Sequence, residues 1–330
     1  MRAAQTGSDR DAPPYRTVSP ARLAPIPRAS TSRSHAAQES LLVERTTPGT
    51  TELVDPGRGA GLVDVVRRRY LLSLLIRKDV QVRYRGSVLG WAWSFVKPAA
   101  QFTVFYFALG VFLRLNQSIE NYPIYLFSGL ILINFFSEAF SNATKALVDN
   151  GALIKKIYLP RELFPVSMIV VALVNFLPQM LILLGVCLFN GWDPSVGQVA
   201  GLFLAGLIIM IFALGLGMLF GAANVSFRDS QNFVELIVMV APWASPVLYQ
   251  WSMVRDVVPQ WLFTLYQLNP ITSAVNLMHS GFWEPTTGEA STAAPDTALF
   301  AAIGLTTSLL VLATGQYVFR RLEGRFAQDL

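Results

Sequence analysis

Residues 163–189 read LFPVSMIVVALVNFLPQMLILLGVCLF, without one Asp, Glu, Lys or Arg. A hydrocarbon core of about 30 Å needs about 20 mostly apolar residues in a helix, and this run exceeds that. Runs 199–225 and 297–319 are equally free of charge, and runs 89–113, 122–140 and 233–249 each carry one ionisable residue. Hydrophobic residues make up 53% of the 330 and charged residues only 14%, too little polar surface to cover a soluble fold of this size. Only helices and closed barrels satisfy their backbone inside a bilayer, and no run alternates polar with apolar residues as barrel strands do. The sequence therefore predicts an all-α membrane protein with six transmembrane helices.

Charge sets the orientation. Basic residues crowd 58–97, 145–161 and 320–325, whereas 114–121 carries only Arg114 and 250–296 sets Arg255 against Asp256, Glu284, Glu289 and Asp296. The positive-inside rule puts both termini in the cytoplasm, as an even number of spans requires.

Residues 1–60 are rich in Pro, Ser, Thr, Arg and Ala without apolar periodicity. A disordered cytoplasmic tail is expected there, with neither a secretory signal nor a second folded domain. The membrane domain is expected over 61–330. Its single cysteine, Cys187, lies inside a span, which excludes a disulfide framework within one chain and suits a small buried apolar residue. Between tail and first span, Leu71, Leu72, Leu75, Ile76 and Val82 share one arc of a helical wheel, with Asp79 and Arg83 intruding. This N-terminal stretch, 62–85, reads as an interfacial helix on the cytoplasmic leaflet; a charged lead-in that only sets topology is the alternative.

The loop between the second and third runs is KALVDNGALIKKIYLPRELFP, 145–165. Asp149 or Asn150 can cap a helix, Gly151 permits a sharp entry and Pro160 ends it. A helix of about two turns results, with Leu153, Ile154, Ile157 and Tyr158 beside Lys155 and Lys156. Such a helix suits docking into a groove on a soluble partner, against the alternative of an ordinary basic loop. Residues 251–283 are too apolar for a free loop yet are broken by Pro259, Asn269 and Pro270. They are expected to form external re-entrant helices between spans five and six, with Pro246 marking a further break.

The 145–165 loop, Asn224-Val-Ser-Phe-Arg-Asp229, Ser245-Pro246-Val-Leu-Tyr249 and Leu268-Asn-Pro270 resemble the permease subunits of type-2 ABC exporters. More narrowly they resemble the branch that exports lipid-linked polysaccharides such as O-antigen, teichoic acid and cell-wall galactan. The similarity covers about residues 62–325. It implies a permease in the bacterial inner membrane, a homodimer clamped by two ATPase subunits that bind ATP and Mg, and a polyprenyl-diphosphate-linked glycan as substrate. A cytoplasmic coupling helix then maps onto Asn150, Gly151, Leu153, Lys155, Lys156, Tyr158 and Leu159, and helices of the external segment shape the periplasmic mouth. No Gly-Lys-Ser or Gly-Lys-Thr occurs, so this chain lacks the phosphate-cradling loop and is expected to be no ATPase itself. No catalytic residue, cofactor or metal is expected in it. The Arg and Ala bias suggests a high-GC bacterium, and an actinobacterial galactan exporter is the most specific expectation.

Candidate path residues follow. Arg83, Arg85 and Lys97 could receive a diphosphate, although Lys97 could equally snorkel to the surface. Phe102, Phe105, Tyr106 and Phe135 are candidates to line a tunnel, with core packing as the alternative. Trp91, Trp93, Trp243, Tyr249 and Trp251 fit an interfacial belt. Glu138 and Glu235 could reach the interface or pair with a base such as Lys145 or Arg228. Gly217 and Gly221, with Ala213 one turn earlier, permit close helix approach, either within the chain or between two copies.

Rival classes find less support. A proton-coupled secondary transporter would want acid or His relays at depth and an internal repeat, and only His35 and His279 exist. A membrane glycosyltransferase would need clustered carboxylates for metal-assisted chemistry. An ABC-2 permease for a small lipophilic drug or lipid is the runner-up.

Overall fold

The computed structural model describes residues 61–84, 90–157, 159–287, 294 and 296–326. The expected tail, Arg85 and Tyr158 lie outside them. Every regular element among the described residues is helical.

Helices α1 (Leu62–Arg67) and α2 (Arg69–Tyr84) precede α3 (Trp93–Phe105), which continues through π-helical turns to Phe112. Next come the short α4 (Leu115–Ser118), α5 (Tyr122–Asp149), α6 (Gly151–Lys156), α7 (Leu163–Phe189) and α8 (Val196–Ser226). Then α9 (Ser230–Val240), α10 (Trp251–Arg255), α11 (Gln260–Gln267) and α12 (Pro270–Met278) lead to α13 (Thr297–Leu322). Five of these, α3 with its continuation, α5, α7, α8 and α13, are long and apolar enough to cross a membrane.

Local signals explain the boundaries. Ser195 Oγ accepts the Gln198 N–H while Gln198 Oε1 accepts the Ser195 N–H, a reciprocal cap that starts α8. Asn269 Oδ1 accepts the Ile271 N–H, and Pro270 fills the first helical position of α12. Pro259 likewise stands directly before α11. These two prolines therefore start short helices of the 251–283 segment. Pro246 lies in turns, as the expected helix break.

The fifth predicted span, 233–249, is helical only to Val240 and continues as turns to Tyr249. Pro242 and Pro246 each remove a donor from what would be the next two turns. Non-helical backbone among buried apolar residues needs outside partners, and side chains supply them. Tyr125 Oη donates to the carbonyls of Pro246 and Tyr249, both at 2.8 Å. Tyr122 Oη donates to Leu248 O at 3.1 Å, and Asn269 Nδ2 to Ala244 O at 3.2 Å. Tyr122 and Tyr125, both fully buried on α5, thus fasten the turn segment to the bundle.

The core sits around α5, which packs against α7 and α8, while α13 lies along α8. Phe136 of α5 stacks on Phe212 of α8, and Phe140 meets Phe220 edge-on. A Cβ on Gly217 would stand 2.4 Å from Ala143 Cβ of α5, and one on Gly315 would stand 2.2 Å from the Gly215 carbonyl. The small-residue stripe of α8 is therefore spent within the chain, against α5, rather than held open for a second copy.

A second apolar cluster forms at the end of the bundle where α5 stops and α7 starts. Val65, Leu75, Ile154, Phe164, Phe319 and Phe326 meet there, with Leu71, Leu72, Leu153 and Leu159 packed around them. The predicted interfacial helix is thus two helices, and its apolar arc is covered by protein at Leu71, Leu72 and Leu75, whereas Val82 is exposed.

Candidate functional site

Polar side chains are costly in a membrane bundle unless they line a water-filled or ligand-filled space. Four helices here bring such residues to one place. Arg83 of α2, Ser94, Lys97 and Gln101 of α3, Asn134 and Glu138 of α5, and Asn175 and Gln179 of α7 line a cleft of about 470 Å³. Three of the helices contribute a pair four residues apart: Lys97 with Gln101, Asn134 with Glu138, Asn175 with Gln179. That spacing puts both members of each pair on one face.

Glu138 is the hub. Arg83 Nη1 donates to its Oε1, and Asn175 Nδ2 donates to the same oxygen at 2.6 Å. The sequence pointed to Lys145 or Arg228 as partners; the structure instead supplies Arg83, at the end of α2. Deeper in, Gln179 Nε2 donates to Asn175 O at 3.1 Å, while its buried Oε1 meets no donor among the described residues. A buried acceptor without a donor costs free energy unless water or a ligand serves it, and Gln179 lines the cleft. Pro98 and Pro178 lie inside α3 and α7 next to Lys97 and Gln179, so each helix lacks one backbone rung beside the cleft.

The expected path residues divide. Arg83, Lys97 and Phe135 line the cleft, Phe135 against the ring of Phe176 at 4.8 Å. Phe102, Phe105 and Tyr106 are half-buried against the main core instead. Phe102 stacks on Tyr106 and meets Phe127 edge-on, and Tyr106 continues through Tyr122 and Tyr125 to His279. The amide residues Gln101, Asn134, Asn175 and Gln179 were not singled out in the sequence. Their signal was present, as polar pairs four apart in otherwise apolar helices.

The expected docking helix, Asn150–Leu159, is a single six-residue helix, Gly151–Lys156. Lys155, Lys156 and Ile157 are exposed at its end, whereas Leu153 and Leu159 lean on the second apolar cluster. No side chain caps it. Asn150 is buried and bonded elsewhere: its Nδ2 donates to Ala146 O at 2.9 Å, and its Oδ1 accepts from Lys78 Nζ of α2. Close by, Glu162 is fully buried at the start of α7, and its Oε1 accepts from Gln316 Nε2 of α13 at 3.2 Å. Burial, and then the Glu162 charge, push the neighbouring Glu323 carboxyl up to about 7 against the pull of Arg161 and Arg320. Among the described residues no group of His, Cys, Asp and Glu could hold a metal.

Comparison with known proteins places these features in context. The profile of a family described as "ABC-2 type transporter" matches residues 70–283. The O-antigen export system permease protein RfbA of Myxococcus xanthus is 30% identical over 273 residues, 82% of this chain and 100% of that protein. The protein of the same name from Klebsiella pneumoniae is 28% identical over 264 residues, 79% of this chain and 96% of that one. The polysialic acid transport protein KpsM of Escherichia coli is 19% identical over 214 residues, 64% of this chain and 80% of that one.

Proposed function

This chain belongs to the ABC-2 type transporter family, and from that premise we propose that it is the membrane subunit of an ATP-driven polysaccharide exporter. The relatives are named for O-antigen export and polysialic acid transport, and the proposal carries that activity over to this chain. The substrate is a polyprenyl-diphosphate-linked glycan, with cell-wall galactan as the most specific candidate. The observation that carries the reading is the cleft: two cations, Arg83 and Lys97, stand beside four amides and the Ser94 hydroxyl. Cations suit a phosphate headgroup and amides suit sugar hydroxyls.

Energy comes from a separate ATPase subunit that docks on α6, whose free surface is Lys155, Lys156 and Ile157. In the proposed assembly two copies of this chain meet two ATPases. Support for a second copy comes from α3, which the rest of the chain leaves almost uncovered: Val104, Phe107 and Phe112 are all exposed. Both termini are assigned to the cytoplasm of the inner membrane by the basic residues around α2, α6 and the end of α13. Five long helices alone would put the termini on opposite sides, so residues 230–249 make the fifth crossing. Helix α9 spans about 16 Å, half of the hydrocarbon thickness, and the tyrosine-fastened turns continue from it.

Depleting the protein in its own host tests the reading. Lipid-linked glycan should accumulate on the cytoplasmic side while surface glycan falls. Unchanged surface glycan after depletion would sink the substrate assignment.

A further inference from the structure

A carboxylate that sits where an anionic ligand is expected needs its own explanation. Glu138 Oε1 takes both Arg83 and Asn175 as donors, an arrangement that a phosphate oxygen could copy. The pair is not sealed from the cleft, since the side chain of Arg83 is 38% exposed and that of Glu138 23%. Ion pairs this open are weakly held. Lys97 lines the same cleft, is exposed, and has no ion-pair acceptor among the described residues.

We propose that Glu138 is a resident anion that occupies Arg83 while the cleft is empty and yields only to a headgroup carrying more than one negative charge. The proposal rests on the reading of the cleft as the entrance for a lipid-linked diphosphate. Its physical content is an exchange. A headgroup with one negative charge that displaces Glu138 from Arg83 trades one anion for another and gains little. A diphosphate diester carries two charges, so it can replace Glu138 at Arg83 and also engage the free ammonium of Lys97. Arginine's planar fork donates to two oxygens of such a group at once, and lysine serves as a point charge beside it.

The exchange answers a problem of place. A basic pocket facing the cytoplasmic leaflet is bathed in anionic phospholipids, which are attracted to clusters of Lys and Arg. A built-in competitor keeps those monoanions out without excluding the doubly charged substrate. Specificity is then a difference of affinities produced partly by a group that opposes the wrong ligand. Asn175 has a defined part: it holds the carboxylate in position from the α7 side, so that Glu138 competes from a fixed place.

The experiment is equilibrium binding to the purified full chain in nanodiscs of neutral lipid. The probes are a polyprenyl diphosphate sugar, a diester with two charges; the polyprenyl monophosphate sugar, a diester with one; phosphatidylglycerol; and inorganic pyrophosphate. The native chain should prefer the diphosphate diester over the monophosphate diester by about tenfold or more. Glu138→Gln keeps an acceptor for Arg83 and Asn175 but removes the charge. It should bind the monophosphate diester and phosphatidylglycerol about tenfold more tightly, so that the preference collapses. If Glu138→Gln is poorly folded, Glu138→Asp, which shortens the reach to Arg83, should show the same change to a smaller extent. An unchanged preference in both variants overturns the resident-anion proposal. The double variant Arg83→Gln, Lys97→Gln separates that failure from failure of the site. Loss of diphosphate binding there upholds the cleft as the headgroup site, whereas unchanged binding overturns both readings. Inorganic pyrophosphate binding as tightly as the lipid form would assign the site to a soluble anion and overturn the proposal.

Discussion

Lys78 Nζ lies 2.6 Å from Asn150 Oδ1, joining the middle of α2 to the residue that opens α6. Five residues further along α2, Arg83 meets Glu138 in the cleft. One 16-residue helix therefore touches both the start of α6 and the polar cleft. A regular helix is stiff over this distance, so movement of α6 is expected to reach the cleft through α2.

Lys78→Met and Asn150→Ala should each lower glycan-stimulated ATP hydrolysis by the assembled transporter severalfold. The double variant should be no worse than the worse single one, because both remove the same contact. The cost in stability should stay near 1 kcal/mol, since Lys78 is half exposed. Additive losses in ATPase stimulation would count against the link.

Charge reversal at the exposed pair, Lys155→Glu with Lys156→Glu, should abolish that stimulation while leaving the purified chain as stable as before. Both side chains point away from the apolar cluster that holds α6. A complex with full ATPase coupling would remove α6 as the docking element.

Gly315→Ala should destabilise the chain by about 1 to 3 kcal/mol, read as a lowered melting temperature in detergent. Its Cβ would stand 2.2 Å from the Gly215 carbonyl, and backbone cannot rotate aside. Gly206→Ala, on α8 and with nothing within 4 Å of its Cβ, should not be destabilising. Equal melting temperatures for the two variants would contradict the α8–α13 approach.

The raised carboxyl of Glu323 predicts a pH-dependent penalty. An unfolded chain ionises this group near 4.5, the folded one only near 7. Between those values the folded state still holds a proton that the unfolded state has released. Its contribution to stability therefore falls as pH rises through the window and stays low above it. Glu323→Gln should melt above the native chain at pH 8, with the difference vanishing below about pH 4.5. A gap that is constant with pH would exclude the titration as its cause.

The cleft was half legible in the sequence. Arg83, Lys97 and Phe135 could be proposed because cations near a span and aromatics within one are visible locally. The amide pairs were visible too, at a spacing of four, but only their convergence from α3, α5 and α7 gives them meaning. The partner of Glu138 was not legible, because Arg83 stands 55 residues away and sequence distance favoured Lys145. A short helix in the 150–159 loop was legible, but its length was not. Leu159 lies beyond its end, since Ile157 is already extended and Pro160 follows.

By itself the sequence determined that this is a helical membrane protein. Uninterrupted apolar length is a property of consecutive residues, and a bilayer imposes helices on it. The same local reasoning located the breaks at Pro259 and Pro270. Prolines within the fifth run break its helix locally, but tertiary structure alone decided what holds the turns that follow, since their carbonyls depend on hydroxyls of Tyr122 and Tyr125 more than 100 residues away. It also decided that Gly217 serves α5 and not a second copy. The difference is physical: hydrophobicity and backbone geometry act along the chain, whereas donors, acceptors and close contacts are met across it.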